Sequence, residues 1–294
     1  MSNFKNSFHP YAIITILFWS LAFVFTRLTL EYFSAFSLGF LRYLIASIAL
    51  IVIAVFAKMR RPRAKDIPLL VASGFVGFFA YMIAFNQGQA TVSAATASIV
   101  IATGPVLTAF LARFIYREKL TVSKWCAIVV EFGGVLVLTL MNGSFSANKG
   151  LIWLLIAALS LSVYNLLQRR LTKSYSALEV TTYSILTGTF MLSVFAPSAV
   201  REIPGVPAIQ YLYIAVLGIG SSAIAYVVWA KAFSKAKKTS QVSNYMFITP
   251  LLTTILGFLL AGELPDMATV IGGSIILFGM LIFNFGHIRY KGNS

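Results

Sequence analysis

Apolar runs about as long as a bilayer is thick recur along the whole chain, and each ends in a short break rich in charge, glycine or proline. One membrane-crossing helix takes roughly 20 residues, so this rhythm leaves room for connectors and little else. Setting runs against breaks predicts ten helices, at approximately 10–30, 35–57, 67–87, 92–115, 122–141, 150–170, 177–197, 208–231, 239–260 and 267–288. The breaks run from Lys58 to Asp66, Arg117 to Lys124, Asn142 to Lys149, Pro197 to Pro207, Lys231 to Lys238 and Gly262 to Asp266. A hydrophobic fraction of 59% lies above the 45–50% or so of soluble domains, which disfavours a water-soluble fold. The first run, Tyr11 to Thr26, is longer than a secretory signal core, lacks a small-x-small end and precedes Arg27, so a retained first helix is expected.

Charge tests this layout. The chain carries 23 Lys plus Arg against 8 Asp plus Glu. With the N-terminus in the cytoplasm, 19 basic residues fall on that side and only Arg27, Lys149 and Arg201 outside, with Arg42 inside a span. One missed helix would reverse every later loop, so the bias supports ten spans with both termini cytoplasmic, in a plasma or inner membrane. The same placement explains the net charge of +15 without nucleic acid as a partner. The single Cys126, with His9 and His287 at opposite ends, gives no disulfide framework and no metal cluster. No cofactor is expected.

The chain also repeats itself. An offset of 145 superposes Tyr81 on Tyr226, Ser98 on Ser243, Pro105 on Pro250, Glu118 on Glu263 and Gly134 on Gly279. An offset of 142 pairs Ser20 with Ser162, Arg27 with Arg169 and Ser34 with Ser176. Two halves follow, residues 1–142 and 143–294. Five helices per half is an odd number, so the second half must thread the membrane in the opposite sense. The expected fold is an all-α integral membrane protein of ten transmembrane helices in two inverted five-helix repeats, a design suited to alternating access.

Phe18-Trp19-Ser20, Leu41-Arg42-Tyr43, Gly104-Pro105 with Arg117-Glu118-Lys119-Leu120, and Thr249-Pro250 with Gly262-Glu263 together resemble the drug/metabolite transporter superfamily, EamA-type. That resemblance covers nearly the whole chain. It implies a ten-helix secondary transporter, many such proteins exporting amino acids or related metabolites, with the fifth and tenth helices peripheral and the others around a central cavity. The second half departs from the pattern: it lacks the helix-opening Trp, and Ser184 stands where Arg42 would repeat.

Helical spacing gathers mixed aromatic, small and hydrogen-bonding strips: Thr15, Trp19 and Thr26; Gly74, Gly77, Tyr81 and Phe85; Trp153, Ala157, Ser160, Tyr164 and Gln168, with Asn165 beside them; Gly218, Ser222 and Trp229; Ser240, Ser243, Asn244 and Phe247. Such strips suit a compact amphipathic solute, and they equally suit interhelical packing. Trp19, Arg42, Tyr81, Tyr164, Asn165, Trp229, Ser243 and Asn244 are the candidate substrate-binding residues. Arg42, about seven residues inside its helix, meets a substrate carboxylate, snorkels toward the interface or forms a structural pair, for instance with Glu31. Pro105 and Pro250 are candidate hinges. Glu131, a lone acid near the middle of its helix, is protonated, packed or coupled to proton movement. Glu118 and Glu263 are expected to cap neighbouring helix ends or clamp loops, away from the substrate. The partners are then a small-molecule substrate and the lipid bilayer, with the oligomeric state open, a homodimer included. A channel lacks a charged ring or carbonyl filter, and a membrane-embedded enzyme lacks a phosphate loop, a nucleophile elbow and a metal cluster.

Overall fold

A computed structural model describes residues 7–117, 120–141, 149–235 and 244–285, and among these it contains helices and no strand. Ten helical rods follow the apolar runs. They are α1 (His9–Thr29), α2 (Ala35–Phe56), α3 (Ala64–Gln89), α4 (Ala94–Ile115), α5 (Val122–Met141), α6 (Lys149–Leu171), α7 (Ala177–Glu202), α8 (Ala208–Lys235), α9 (Asn244–Ala261) and α10 (Met267–Phe285). Seven stretches are long and apolar enough to cross a membrane: α1, α2, α3, α4, α6, α7 and the Ala208–Trp229 part of α8. Large apolar side chains point outward, among them Val55 and Phe56 on α2, Val129 on α5 and Leu259 on α9. In water these exposed stripes would be a liability; against acyl chains they are the expected outer surface.

Local chemistry sets the ends. Ser34, Ser93 and Ser176 each precede a helix with extended backbone, and each hydroxyl accepts an N–H of the first turn. Glu179 completes a capping box with Ser176 and also accepts from the Arg60 backbone and guanidinium, which raises the Arg60 pKa and ties the end of α2 to the start of α7. At the other end of the same helix pair, Glu202 accepts from Ser34 N at 2.9 Å. Glu263 performs the expected cap: it pairs with Arg27 at 3.0 Å and accepts from Ala94 N, the first residue of α4. Glu118 lies outside the described residues. The expectation that α7 stops at Pro197 is corrected. Its last segment, Ala196–Glu202, carries that proline in its first turn, which tolerates it because the missing N–H needs no partner there.

Besides α7, which passes through a 3-10 turn at Ser193–Phe195, four rods are irregular within their spans. α4 breaks at Ala102–Thr103 between Ala94–Ile101 and Gly104–Ile115, with Pro105 opening the second piece. α9 changes from a 3-10 turn over Asn244–Phe247 to an α-helix over Ile248–Ala261 just before Pro250. α3 and α8 each contain a π-helical segment, Phe75–Ala80 and Val216–Ile224. Under the 145-residue offset the two helix breaks coincide and the two π segments overlap.

The helices pack through small residues, since lipid supplies no hydrophobic drive between them. α5 and α10 meet along Gly134 and Gly272, where a Cβ on Gly134 would lie 2.6 Å from Ile276 and 2.8 Å from the Gly272 carbonyl. The main core runs through both halves, with Tyr43, Phe78, Met82, Leu154, Tyr164 and Ile185 among its buried members.

Candidate functional site

α1, α2, α3, α6 and α8 bring rings together in one linked cluster, and a buried cation of α2 lies against its Tyr43 member. Trp19 on α1 lies 5.1 Å from Trp229 and 5.6 Å from Tyr226, both on α8. Phe78 on α3 stands edge-on to Tyr43 of α2 at 5.4 Å and to Tyr164 of α6 at 5.1 Å, and reaches Tyr226 at 6.2 Å. Tyr81 stacks on Phe85, which meets Phe23 of α1. Centroid separations of about 4.5–7 Å are those at which rings attract beyond simple burial.

Arg42 supplies the charge. It is only 8% exposed, its Nε donates to Ser222 Oγ at 2.9 Å, and its guanidinium lies 5.9 Å from the Tyr43 ring centroid. Tyr43, Tyr81 and Tyr226 are all within its electrostatic reach. The ion pairs among the described residues are Arg27–Glu263, Arg60–Glu179 and Arg63–Asp66, so Arg42 has no carboxylate partner and the alternative pairing with Glu31 is not made. Glu31 is an exposed residue beyond α1, whereas Arg42 turns inward onto α8. A buried cation held by one neutral hydroxyl and faced by rings can receive a carboxylate through its remaining donors.

The π segments build the walls. Phe75–Ala80 contributes Phe78 and leads directly into Tyr81; Val216–Ile224 contributes Ser222 and ends two residues before Tyr226. A π turn widens the helix and re-aims side chains, and such turns recur at functional sites. Two glycines let neighbours come in. A Cβ on Gly77 would sit 2.6 Å from Tyr164 Cγ, and one on Gly218 would sit 2.7 Å from Ile45 and 2.9 Å from the Arg42 carbonyl.

The other candidates separate. Trp19, Arg42, Tyr81, Tyr164 and Trp229 belong to this constellation. Asn165 Nδ2 donates instead to Thr108 Oγ1 on α4 at 3.2 Å. Trp153 is 38% exposed and faces outward, so its strip on α6 lines the interior only from Ala157 onward. Ser243 and the Asn244 side chain lie outside the described residues. Pro105 and Pro250 sit at the matched helix breaks, where Ser162 Oγ donates to the Gly104 carbonyl at 3.0 Å and Ser20 Oγ to the Thr249 carbonyl at 3.4 Å. Glu131 is 2% exposed, and neither carboxyl oxygen has a hydrogen-bond partner among the described residues. It borders a small void shared with Thr103, at the break of α4. Tyr43, Phe78 and Tyr226 are ring walls the strips did not include.

The profile of the EamA-like transporter family matches residues 7–140 and again residues 148–285. The chain is 34% identical to the uncharacterized transporter YdfC of Bacillus subtilis over 89% of this chain and 86% of that protein. It is 29% identical to a probable terminal-alkyne amino-acid exporter of Streptantibioticus cattleyicolor, covering 92% and 91% of the two chains. It is 26% identical to an S-adenosylmethionine uptake transporter of Rickettsia prowazekii, covering 83% and 80%. A crystal structure 20% identical in sequence shares the fold with a TM-score of 0.65 over 96% of this chain and 98% of the other.

Proposed function

This chain belongs to the EamA-like transporter family, and on that footing we propose that it is a secondary transporter exporting small amphipathic metabolites such as amino acids, by alternating access around the Arg42 site. It is a multi-pass helical membrane transporter. The finer reading is ten spans in two inverted repeats, 1–142 and 143–294, with both termini in the cytoplasm and the plasma membrane as the host. One observation carries it: the buried cation Arg42 lies on Tyr43, a member of a linked cluster of rings from α1, α2, α3, α6 and α8, and the two π segments beside it overlap under the repeat.

Matched crossings support the inverted repeat. Ser20 on α1 bonds to the carbonyl before Pro250 on α9; its repeat mate Ser162 on α6 bonds to the carbonyl before Pro105 on α4. Each half thus clasps the broken helix of the other. In an inverted repeat two such joints point to opposite faces, which is what an exchange between inward and outward openings needs. Arg42 holds the solute's carboxylate, Trp19, Tyr81, Tyr164 and Trp229 hold its apolar part or its amine, and Asn165 stands beside Tyr164 on α6. Glu131, beside the break in α4, is the candidate for proton coupling.

Purified protein in vesicles should give saturable counterflow of its solute; flux strictly linear in concentration would favour the channel reading, and chemical change of the solute the enzyme reading. Pro250→Ala should slow turnover with little change in half-saturation, since it restores a backbone donor at the joint and leaves the rings alone. An unchanged rate would remove the joint from the mechanism. Accessible-cysteine labelling at positions 61 and 237 should mark the same side of the membrane; opposite sides would break the ten-span reading.

A further inference from the structure

A second polar region lies away from the rings, where α3 begins and α6 ends. An open cavity of about 540 Å³ is bounded there by the first turns of α3 and the turn joining α6 to α7. Three cations line it: Lys65, Arg170 and Lys173. No carboxylate lies within ion-pair distance of any of them among the described residues. The cavity's one acid, Asp66, is already committed, accepting from Arg63 Nε at 2.7 Å and from the Tyr175 hydroxyl at 2.8 Å. The pocket is therefore strongly positive, with the Ser174 side chain as an added polar group.

Its other walls are apolar and firm. Pro68 and Leu69 form one side, and Leu171 and Tyr175 pack with Leu70 and Val180 in a small core beneath. Beside the lining residues Asp66 and Pro68 in sequence, Ile67 begins a run with Val71 and Phe75, exposed by 45%, 38% and 46% at successive i, i+4 positions, making one apolar stripe along α3.

We propose that this cavity is a binding site for a phosphate-bearing anion, occupied by the headgroup of an anionic phospholipid whose acyl chain lies along the Ile67–Phe75 stripe. Two ammonium groups and a guanidinium converging on one cavity match a phosphodiester, and Arg adds a fork for its oxygens. A soluble phosphate would use the cations but not the stripe; a lipid uses both. Basic pockets between spanning helices at the membrane surface hold anionic headgroups on the same physics. Because α3 comes from the first half of the chain and the α6–α7 turn from the second, a lipid seated here bridges the two halves.

The test uses the full-length purified protein in a neutral detergent, with binding followed by native mass spectrometry and by thermal unfolding. Phosphatidylglycerol should bind and protect, and phosphatidylcholine with the same acyl chains should not. Lys65→Gln/Arg170→Gln/Lys173→Gln should weaken phosphatidylglycerol binding by on the order of 100-fold, from about fivefold per removed charge. Removing three exposed cations elsewhere, by Arg113→Gln/Lys149→Gln/Arg201→Gln, makes the same change in net charge and should leave binding within about twofold, since screening hides charges beyond about 10 Å. Lys65→Arg/Lys173→Arg keeps the charges and should keep the affinity, which separates charge loss from misfolding. Equal binding of the two lipids, or equal loss in the two triple variants, overturns the site. Inorganic phosphate at millimolar concentration should not reproduce the protection; if it does, the lipid is overturned as occupant and a soluble phosphate takes its place.

Discussion

Arg42→Gln is expected to cut transport of a carboxylate-bearing solute by about 30-fold or more, while the methyl ester of the same solute moves as before. The size follows from the setting. Truncating one partner of a buried, hydrogen-bonded charge pair costs ~2 kcal/mol or more, and Arg42 is 8% exposed with a neutral Ser222 hydroxyl as its protein partner. Gln keeps a donor and much of the volume, so the loss reports the charge and the fork. The loss should fall mainly on the half-saturation concentration, because a carboxylate is held in both inward and outward states. Arg42→Lys should recover part of it, since a point charge replaces a planar fork. Ser222→Ala should cost about fivefold, the ~1 kcal/mol of one hydrogen bond that aims the guanidinium. Initial rates in vesicles over a range of solute concentrations measure all three. Wild-type kinetics in Arg42→Gln would move Arg42 from the solute path to helix packing.

Much of this arrangement could be read before the fold was known, because membrane insertion writes itself into sequence as long runs and charged breaks. α2 and α5 begin and end within a residue of the expected 35–57 and 122–141. The break in α4 was legible through Pro105, and its match with Pro250 through the repeat. Arg42 stood out because a cation inside a span needs a reason. The missing walls are instructive. Tyr226 carried a signal, being the repeat mate of Tyr81, and Tyr43 adjoins Arg42; Phe78 carried none, since one Phe among 25 in an apolar chain is unremarkable. The π segments were illegible, because no residue type demands an extra residue in a turn; only tertiary contacts select it. Asn165 shows the converse. Spacing set it beside Tyr164, but a side chain's partner depends on which helix lies opposite, and α4 with Thr108 lies there. The asymmetry between the halves was visible and has a structural counterpart: where Arg42 of α2 reaches Ser222 of α8, its counterpart Ser184 of α7 reaches Ser73 of α3. The positive charge of the site comes from one half alone, so a solute's carboxylate has one end of the site to choose.

Gly77→Ala should reverse the usual sign of a glycine-to-alanine change in a helix. Alanine ordinarily stabilises a helical position by up to ~1 kcal/mol relative to glycine. At Gly133 of α5, where an added Cβ meets nothing within 4 Å, that gain or no change is expected. At Gly77 the added methyl falls 2.6 Å from Tyr164 Cγ and 3.0 Å from its Cβ, and these atoms cannot swing aside as a flexible tip would. Tyr164 is 2% exposed and wedged against Phe78, so α3 and α6 must part or the ring must leave its place. Overpacking of this kind costs about 1–3 kcal/mol. Thermal unfolding in detergent should therefore fall for Gly77→Ala and hold for Gly133→Ala, and transport should drop at least tenfold for the first alone, by a ~1.4 kcal/mol loss in solute binding. Adding Tyr164→Ala to Gly77→Ala removes the collision, so stability should return toward that of Tyr164→Ala alone. Transport should not return, because the ring that closes the wall is gone. Recovery of both together would mean that Tyr164 serves packing only and that the solute passes elsewhere; recovery of neither would mean that the close approach of α3 and α6 is not the source of the cost.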